Sequence, residues 1–244
     1  MMFTAIVIIF QIILLFFLSG FVKKKLYTLF FRISKSNTAA MAGITALLYP
    51  GTVVHELAHL VTAFIFFVPV KKLTLEPERS ADGMIRAGSV EIAHVDLFRR
   101  TLVGIAPLLV GVIALWAITT YLLPPIPYVC NMLNIFCNEQ YFSFFSAKQD
   151  HAPRDIFQFI LSTYLVFSVS ANMFSSKKDL DAARIVLPII VGLLILAYLL
   201  GMPFTPVAEF LSAADSVIRV FINVLIIPLI LHVLVAGLLA LVVK

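Results

Sequence analysis

The sequence predicts an all-α polytopic membrane protein with about six transmembrane helices. Hydrophobic residues make up 61% of the 244 residues and charged residues only 13%, and the mean hydropathy is +1.06. A soluble domain of this size cannot bury so much apolar surface, whereas a bilayer accommodates it. The apolar residues also fall into runs of about 20, the length of helix that crosses a hydrocarbon core of ~30 Å.

Six apolar runs define the predicted helices in chain order. They cover residues 2–22, 38–70, 100–123, 156–174, 182–202 and 217–243. The first run is too long for the apolar core of a signal peptide, which predicts a retained transmembrane helix. The second would be ~50 Å long as one straight helix, and Pro50 and Gly51 predict a break within it.

Three of the segments that connect these helices have a recognisable character. Residues 23–37 are predicted as a basic loop and residues 203–216 as a short connector. Residues 71–96 contain two β-compatible runs around a turn-like stretch, which predicts a β-hairpin at the membrane surface. The net charge of +5 lies in such short segments, where it serves orientation and lipid contact, and nothing in this pattern indicates nucleic-acid binding.

The second apolar run contains an H-E-x-x-H motif, His55-Glu56-Leu57-Ala58-His59. Residues four apart lie on one face of a helix, so the imidazoles of His55 and His59 can bind one Zn²⁺ ion. Zinc lowers the pKa of a bound water toward ~7, and Glu56 can then take its proton. Each of these ionisable side chains costs at least ~2.5 kcal/mol in hydrocarbon, and a metal ion compensates all three.

A catalytic zinc needs a third protein ligand and an open position for water. Asp179 and Asp181 follow the fourth apolar run, which ends on the same side as the second if every run crosses the bilayer, so either can approach the histidines. His94 lies in the surface hairpin, a poor platform for a ligand, and His151 falls on the opposite side. His232, alone in the last run, is predicted to hydrogen-bond to a neighbouring helix.

These motifs resemble those of the site-2 protease family of intramembrane zinc metalloproteases. The matching pieces are His-Glu-Leu-Ala-His, a hairpin after its helix, and residues 172–179, in which an asparagine precedes an aspartate. The resemblance covers residues 38–184. It implies a three-helix catalytic core, with Asp179 as the third zinc ligand, Asp181 as the alternative, and Asn172 as a residue that hydrogen-bonds the substrate backbone.

The resemblance divides the chain into three parts. Residues 1–37 hold the first transmembrane helix and the basic loop, residues 38–184 hold the catalytic core of helices two to four with the hairpin, and residues 185–244 hold helices five and six. Since these residues include no appended regulatory domain, control is expected from a membrane partner or from the extra helices.

The implied function is that of a zinc-dependent endopeptidase with one catalytic ion. It would hydrolyse peptide bonds of transmembrane or membrane-proximal protein substrates within the bilayer, and the family favours a catalytic face toward the cytoplasm. The alternative is a catalytically inactive membrane adaptor or regulator of the same fold, because Ser175 stands where the family usually has proline. The intact Glu56 favours the enzyme, since a structural zinc site needs no base.

Overall fold

The computed structural model describes residues 2–74, 78–79, 85–86, 89–92, 95–123, 156–174 and 205–243, and the single positions 185, 188, 189, 192 and 196. The helices in this part of the chain are α1 (Met2–Ser34), α2 (Asn37–Leu47), α3 (Tyr49–Ile65), α4 (Leu97–Ala117), α5 (Ile156–Asn172) and α6 (Thr205–Val242). The strands are β1 (Val70–Thr74), β2 (Glu78–Arg79), β3 (Ile85–Arg86) and β4 (Ser89–Ile92).

Helix α1 is longer than the first apolar run. The prediction of a loop over residues 23–37 is wrong for most of that range, because lysine is a good helix former and Leu26 is buried in a cluster with α2 and α6. The chain leaves the helix at Lys35, whose φ of 55° is the left-handed conformation that commonly ends helices. Ser36 then caps the start of α2 with its side chain.

The second apolar run forms two helices. Leu48 separates α2 from α3, and Pro50 lies in the first turn of α3, where its missing N–H removes no intrahelical hydrogen bond. The predicted break is therefore confirmed and lies just before Pro50. Beyond the end of α3, Phe67 has a φ of 54° and the chain turns toward β1.

The segment predicted as a hairpin contains short strands in nested antiparallel pairs. β1 pairs with β4, so that Val70 lies opposite Ile92 and Thr74 lies opposite Ser89, with an irregularity after Val70. β2 pairs with β3 inside this ladder. This nested order folds the segment back on itself between α3 and α4.

Helices α4 and α5 lie close to their predicted bounds and pack antiparallel. α4 continues into a π-helical turn, Ile118–Leu122, and Gln158 near the start of α5 donates a hydrogen bond to the Leu122 carbonyl at 3.0 Å. Just beyond the end of α5, Cβ of Met173 would lie 2.6 Å from a Cβ atom placed on Gly111, in the middle of α4. Glycine at this position therefore allows α4 to approach the end of α5.

Helix α6 begins at residue 205, so the predicted connector over residues 203–216 is wrong. The amide of Gln11 donates to the Ile222 carbonyl at 3.3 Å, and Lys25 Nζ donates to the carbonyl of Val243 at 2.6 Å. These two contacts show that α1 and α6 run parallel. The six-span count stays a prediction, because its fifth helix, 182–202, lies mostly outside the described residues.

The long helices are those of a membrane protein. Within the described residues, three segments are long and apolar enough to cross a bilayer, namely Ile6–Ser34, Leu97–Leu122 and Arg219–Val242, and α5 is a shorter apolar helix. Large apolar side chains cover the outer faces, and Phe64 on α3 is 82% exposed. The main core joins α1, α4, α5 and α6 around Leu15, Leu115, Val169 and Leu225. An apolar core and an apolar exterior together suit lipid surroundings.

Candidate metal centre

The motif helix α3 packs between α4 and α5. One face of α3 carries Thr52, Glu56, His59 and Ala63, all buried, at the spacing of successive helical turns. The opposite face is apolar and exposed, at Leu57, Val61 and Phe64. The helical period therefore turns the polar residues of the motif toward the protein interior and the apolar ones outward.

The two motif histidines lie one above the other. Their ring centroids are 4.9 Å apart, and the rings are inclined at 81°. Nδ1 of His55 lies 2.6 Å from the Asn172 carbonyl on α5, and Nδ1 of His59 lies 2.8 Å from the Val103 carbonyl on α4. A carbonyl oxygen only accepts, so each Nδ1 carries the proton and donates it. In a neutral imidazole whose Nδ1 carries the proton, the lone pair lies on Nε2, and this is the tautomer that binds a metal through Nε2.

This arrangement fits a zinc ion as far as the described residues go. Zinc-binding histidines usually donate their second ring nitrogen to a carbonyl or carboxylate, which fixes the tautomer and the ring orientation, and both motif histidines do so. The part of the chain that is described contains no group of three or more potential metal-binding side chains. Asp179, Asp181, His94 and His151 lie outside the described residues. The third ligand therefore stays a prediction.

Glu56 lies in the interior beside His55. Its side chain is only 4% exposed, although a carboxylate loses its favourable hydration when it is buried. A cation held by the neighbouring imidazoles would offset this cost, and the same proximity is what a general base needs. Burial and position are thus those expected of the motif glutamate, while its catalytic role stays a prediction.

Asn172 lies beside the start of the motif helix, with contacts that the sequence did not indicate. Its side-chain amide donates to the Leu48 carbonyl at 3.0 Å and to Oγ1 of Thr52 at 3.1 Å. Its own carbonyl accepts the proton of His55 Nδ1. Asn172 therefore joins the end of α5 to the junction of α2 and α3, and its predicted contact with substrate stays a prediction.

Three further residues lie at the centre, of which the sequence indicated only Gly51, and that one only as part of the predicted break. The Gly51 amide donates to Oγ of Ser168 at 2.9 Å, and a Cβ atom on Gly51 would lie 1.9 Å from the Ser168 carbonyl oxygen. Only glycine permits this approach of α3 to α5. Val103 acts through its backbone carbonyl, which any residue offers, so residue type cannot reveal it.

His232 belongs to a different part of the bundle. Its ring is fully buried, lies 5.1 Å from the ring of Phe167 on α5, and donates from Nδ1 to the Pro228 carbonyl at 2.9 Å. The prediction of a hydrogen bond to a neighbouring helix is therefore wrong, because the carbonyl one turn earlier in α6 is within reach. The described contacts of the ring are with α5 and α6 and not with the motif helix.

The candidate centre thus consists of the inner face of α3 and one carbonyl from each of the two helices beside it. It also includes the clamp, by which we mean the hydrogen bonds that Ser168 and Asn172 on α5 make with the start of α3. Comparison with protein-family models, with curated proteins and with solved structures finds no match.

Proposed function

We propose that the protein is a zinc-dependent intramembrane endopeptidase, in line with its resemblance to the site-2 proteases. One observation carries the proposal. The motif histidines lie one helical turn apart beside the buried Glu56, and each donates its Nδ1 proton to a carbonyl of a different neighbouring helix. A catalytic zinc site requires three protein ligands with outer-shell support, and the two histidines would supply two of these ligands together with that support.

In this proposal each residue has a defined role. His55 and His59 hold the ion, and Asp179, or alternatively Asp181, completes the ligand set. When bound, zinc would supply Lewis-acid polarisation and lower the pKa of the attacking water. Glu56 takes a proton from that water and passes it to the departing amine, so that one carboxylate acts first as base and then as acid.

The substrate in this proposal is a protein segment in or next to the bilayer, approached from the cytoplasmic side. The apolar outer surface and the three long apolar helices support a membrane location for the centre. A helical substrate must unwind before water can reach its carbonyls. β4 contacts α3, and the ladder of β1 and β4 offers backbone groups to which an extended peptide can add as a strand.

The test compares Glu56→Gln with the wild-type chain, purified in detergent and supplied with a model transmembrane peptide. Without the base, cleavage is expected to fall by about 10²- to 10⁴-fold, while zinc content is unchanged because glutamine leaves both imidazoles in place. Cleavage is followed by mass spectrometry of the products, and zinc by elemental analysis.

Glu209→Gln, at the start of α6, is the matched control and should cleave like wild type. If Glu56→Gln cleaves the peptide as fast as Glu209→Gln and the wild type do, Glu56 is not the base. A wild-type chain that binds zinc but cleaves no peptide would instead support the inactive adaptor.

A further inference from the structure

The end of α5 and the beginning of α3 satisfy each other's backbone groups. The first N–H groups and the last carbonyls of a helix have no partner within it, and hydrocarbon offers no water in their place. The amide of Gly51, in the first turn of α3, donates to Ser168 Oγ, and the carbonyl of Asn172, in the last turn of α5, accepts from His55. Each helix end therefore serves as the cap of the other.

This mutual capping is tight and buried. Ser168 is fully buried and Thr52 is 3% exposed, and a Cβ on Gly51 would overlap the Ser168 carbonyl. The amide of Asn172 adds two bonds to the α2–α3 junction, to the Leu48 carbonyl and to Thr52 Oγ1. Within one turn, α5 thus holds the start of α3 through a serine hydroxyl and an asparagine amide.

We propose that Ser168 and Asn172 are positioning residues for the metal ligand His55. The distance between α5 and α3 decides where the Asn172 carbonyl lies, and that carbonyl orients the ring of His55 through its Nδ1 proton. The hydrogen bond between Ser168 and Gly51 sets that distance, because Ser168 lies one turn before Asn172 on α5 and Gly51 lies one turn before His55 on α3. The inference rests on the proposed function, because it assigns both residues to the zinc site.

The other buried serines of α5 show that a hydroxyl alone does not produce this effect. Oγ of Ser170 donates to carbonyls of its own helix, those of Val166 and Phe167. Ser162, about two turns nearer the start, likewise donates to the carbonyls of Gln158 and Phe159. Both are as buried as Ser168, at 0% and 1% exposure. Ser170→Ala therefore removes a buried hydroxyl from the same helix without breaking the described bond to α3.

The test compares Ser168→Ala with Ser170→Ala in the full chain, purified in detergent. Zinc affinity is measured by competition with a chelator, and the ligand field by visible absorption after Co²⁺ replaces zinc. Loss of an outer-shell contact weakens metal binding by about 10- to 100-fold, so Ser168→Ala should bind zinc about 10-fold more weakly and shift the Co²⁺ bands. Ser170→Ala should remain within about 2-fold and keep the wild-type spectrum.

The outcomes separate the two proposals. Equal zinc affinities and spectra for the two serine variants would overturn the positioning role and leave the endopeptidase intact. A wild-type chain that binds no zinc would overturn both. If Ser168→Ala does not fold, Thr52→Val tests the same clamp, because it removes an acceptor of the Asn172 amide. It should also bind zinc more weakly than wild type, and unchanged binding there would count against the inference.

Discussion

The two regions that bury histidine use the same hydrogen bond in different ways. His55 and His59 each donate from Nδ1 to a carbonyl of a neighbouring helix, whereas His232 donates to the carbonyl of Pro228 in its own helix. A bond within one helix fixes a ring relative to that helix alone. A bond between helices ties the ring to the packing of the bundle. The motif histidines are therefore held in a geometry that depends on α3, α4 and α5 together.

This difference separates the candidate site, with His55 and His59, from His232, which we interpret as a packing residue. The two motif imidazoles lie one turn apart, with ring centroids 4.9 Å from each other, and each is held by a different neighbouring helix. His232 presents a single Nε2, which is buried and has no hydrogen-bond partner within the described residues. A buried histidine is thus informative about function when other elements orient it.

The largest expected contrast is in metal binding. His59→Ala removes a proposed ligand and should weaken zinc binding by more than the ~100-fold reached on loss of an outer-shell partner. His232→Leu should leave zinc affinity as in wild type, because its described contacts are with α5 and α6. Chelator competition measures both, and equal losses would mean that the two regions are not distinct.

A smaller contrast concerns close helix contact. Gly51→Ala places a Cβ 1.9 Å from the Ser168 carbonyl oxygen and must push α3 away from α5, at a cost of about 1–3 kcal/mol. Gly237→Ala meets nothing within 4 Å, and its helix should gain ~0.5–1 kcal/mol from the lower entropy cost of alanine. The midpoint of thermal unfolding in detergent should fall for the first and hold or rise for the second. If the unfolding midpoint instead fell for Gly237→Ala and held for Gly51→Ala, the close approach of α3 to α5 would be refuted.

The smallest effect is expected in the stability of the His232 region. A buried polar atom without a partner costs about 1–3 kcal/mol, so His232→Leu recovers part of this cost and loses some contact with Phe167. We expect the free energy of unfolding to rise by up to ~1 kcal/mol, with peptide cleavage unchanged. A loss of cleavage at unchanged stability would assign His232 a role in the reaction.

Local pattern predicted some features and could not predict others. The break before Pro50 and the extents of α4 and α5 followed from proline chemistry and apolar length. The extension of α1 to residue 34 did not, because lysine is compatible with both helix and loop, and the burial of Leu26 against α2 and α6 decides between them. The parallel packing of α1 and α6 is likewise a property of the bundle that no single run encodes.

The sequence by itself determined which reactive groups are present, namely two imidazoles four residues apart on one helix and a carboxylate next to the first of them. That information is local, because the helical period alone brings residues 55 and 59 together. Only the tertiary structure decided which atoms complete the setting. The carbonyl that orients His55 lies 117 residues along the chain and the one that orients His59 lies 44 away. Both are backbone groups that every residue carries, so only the packing of α4 and α5 against α3 selects them.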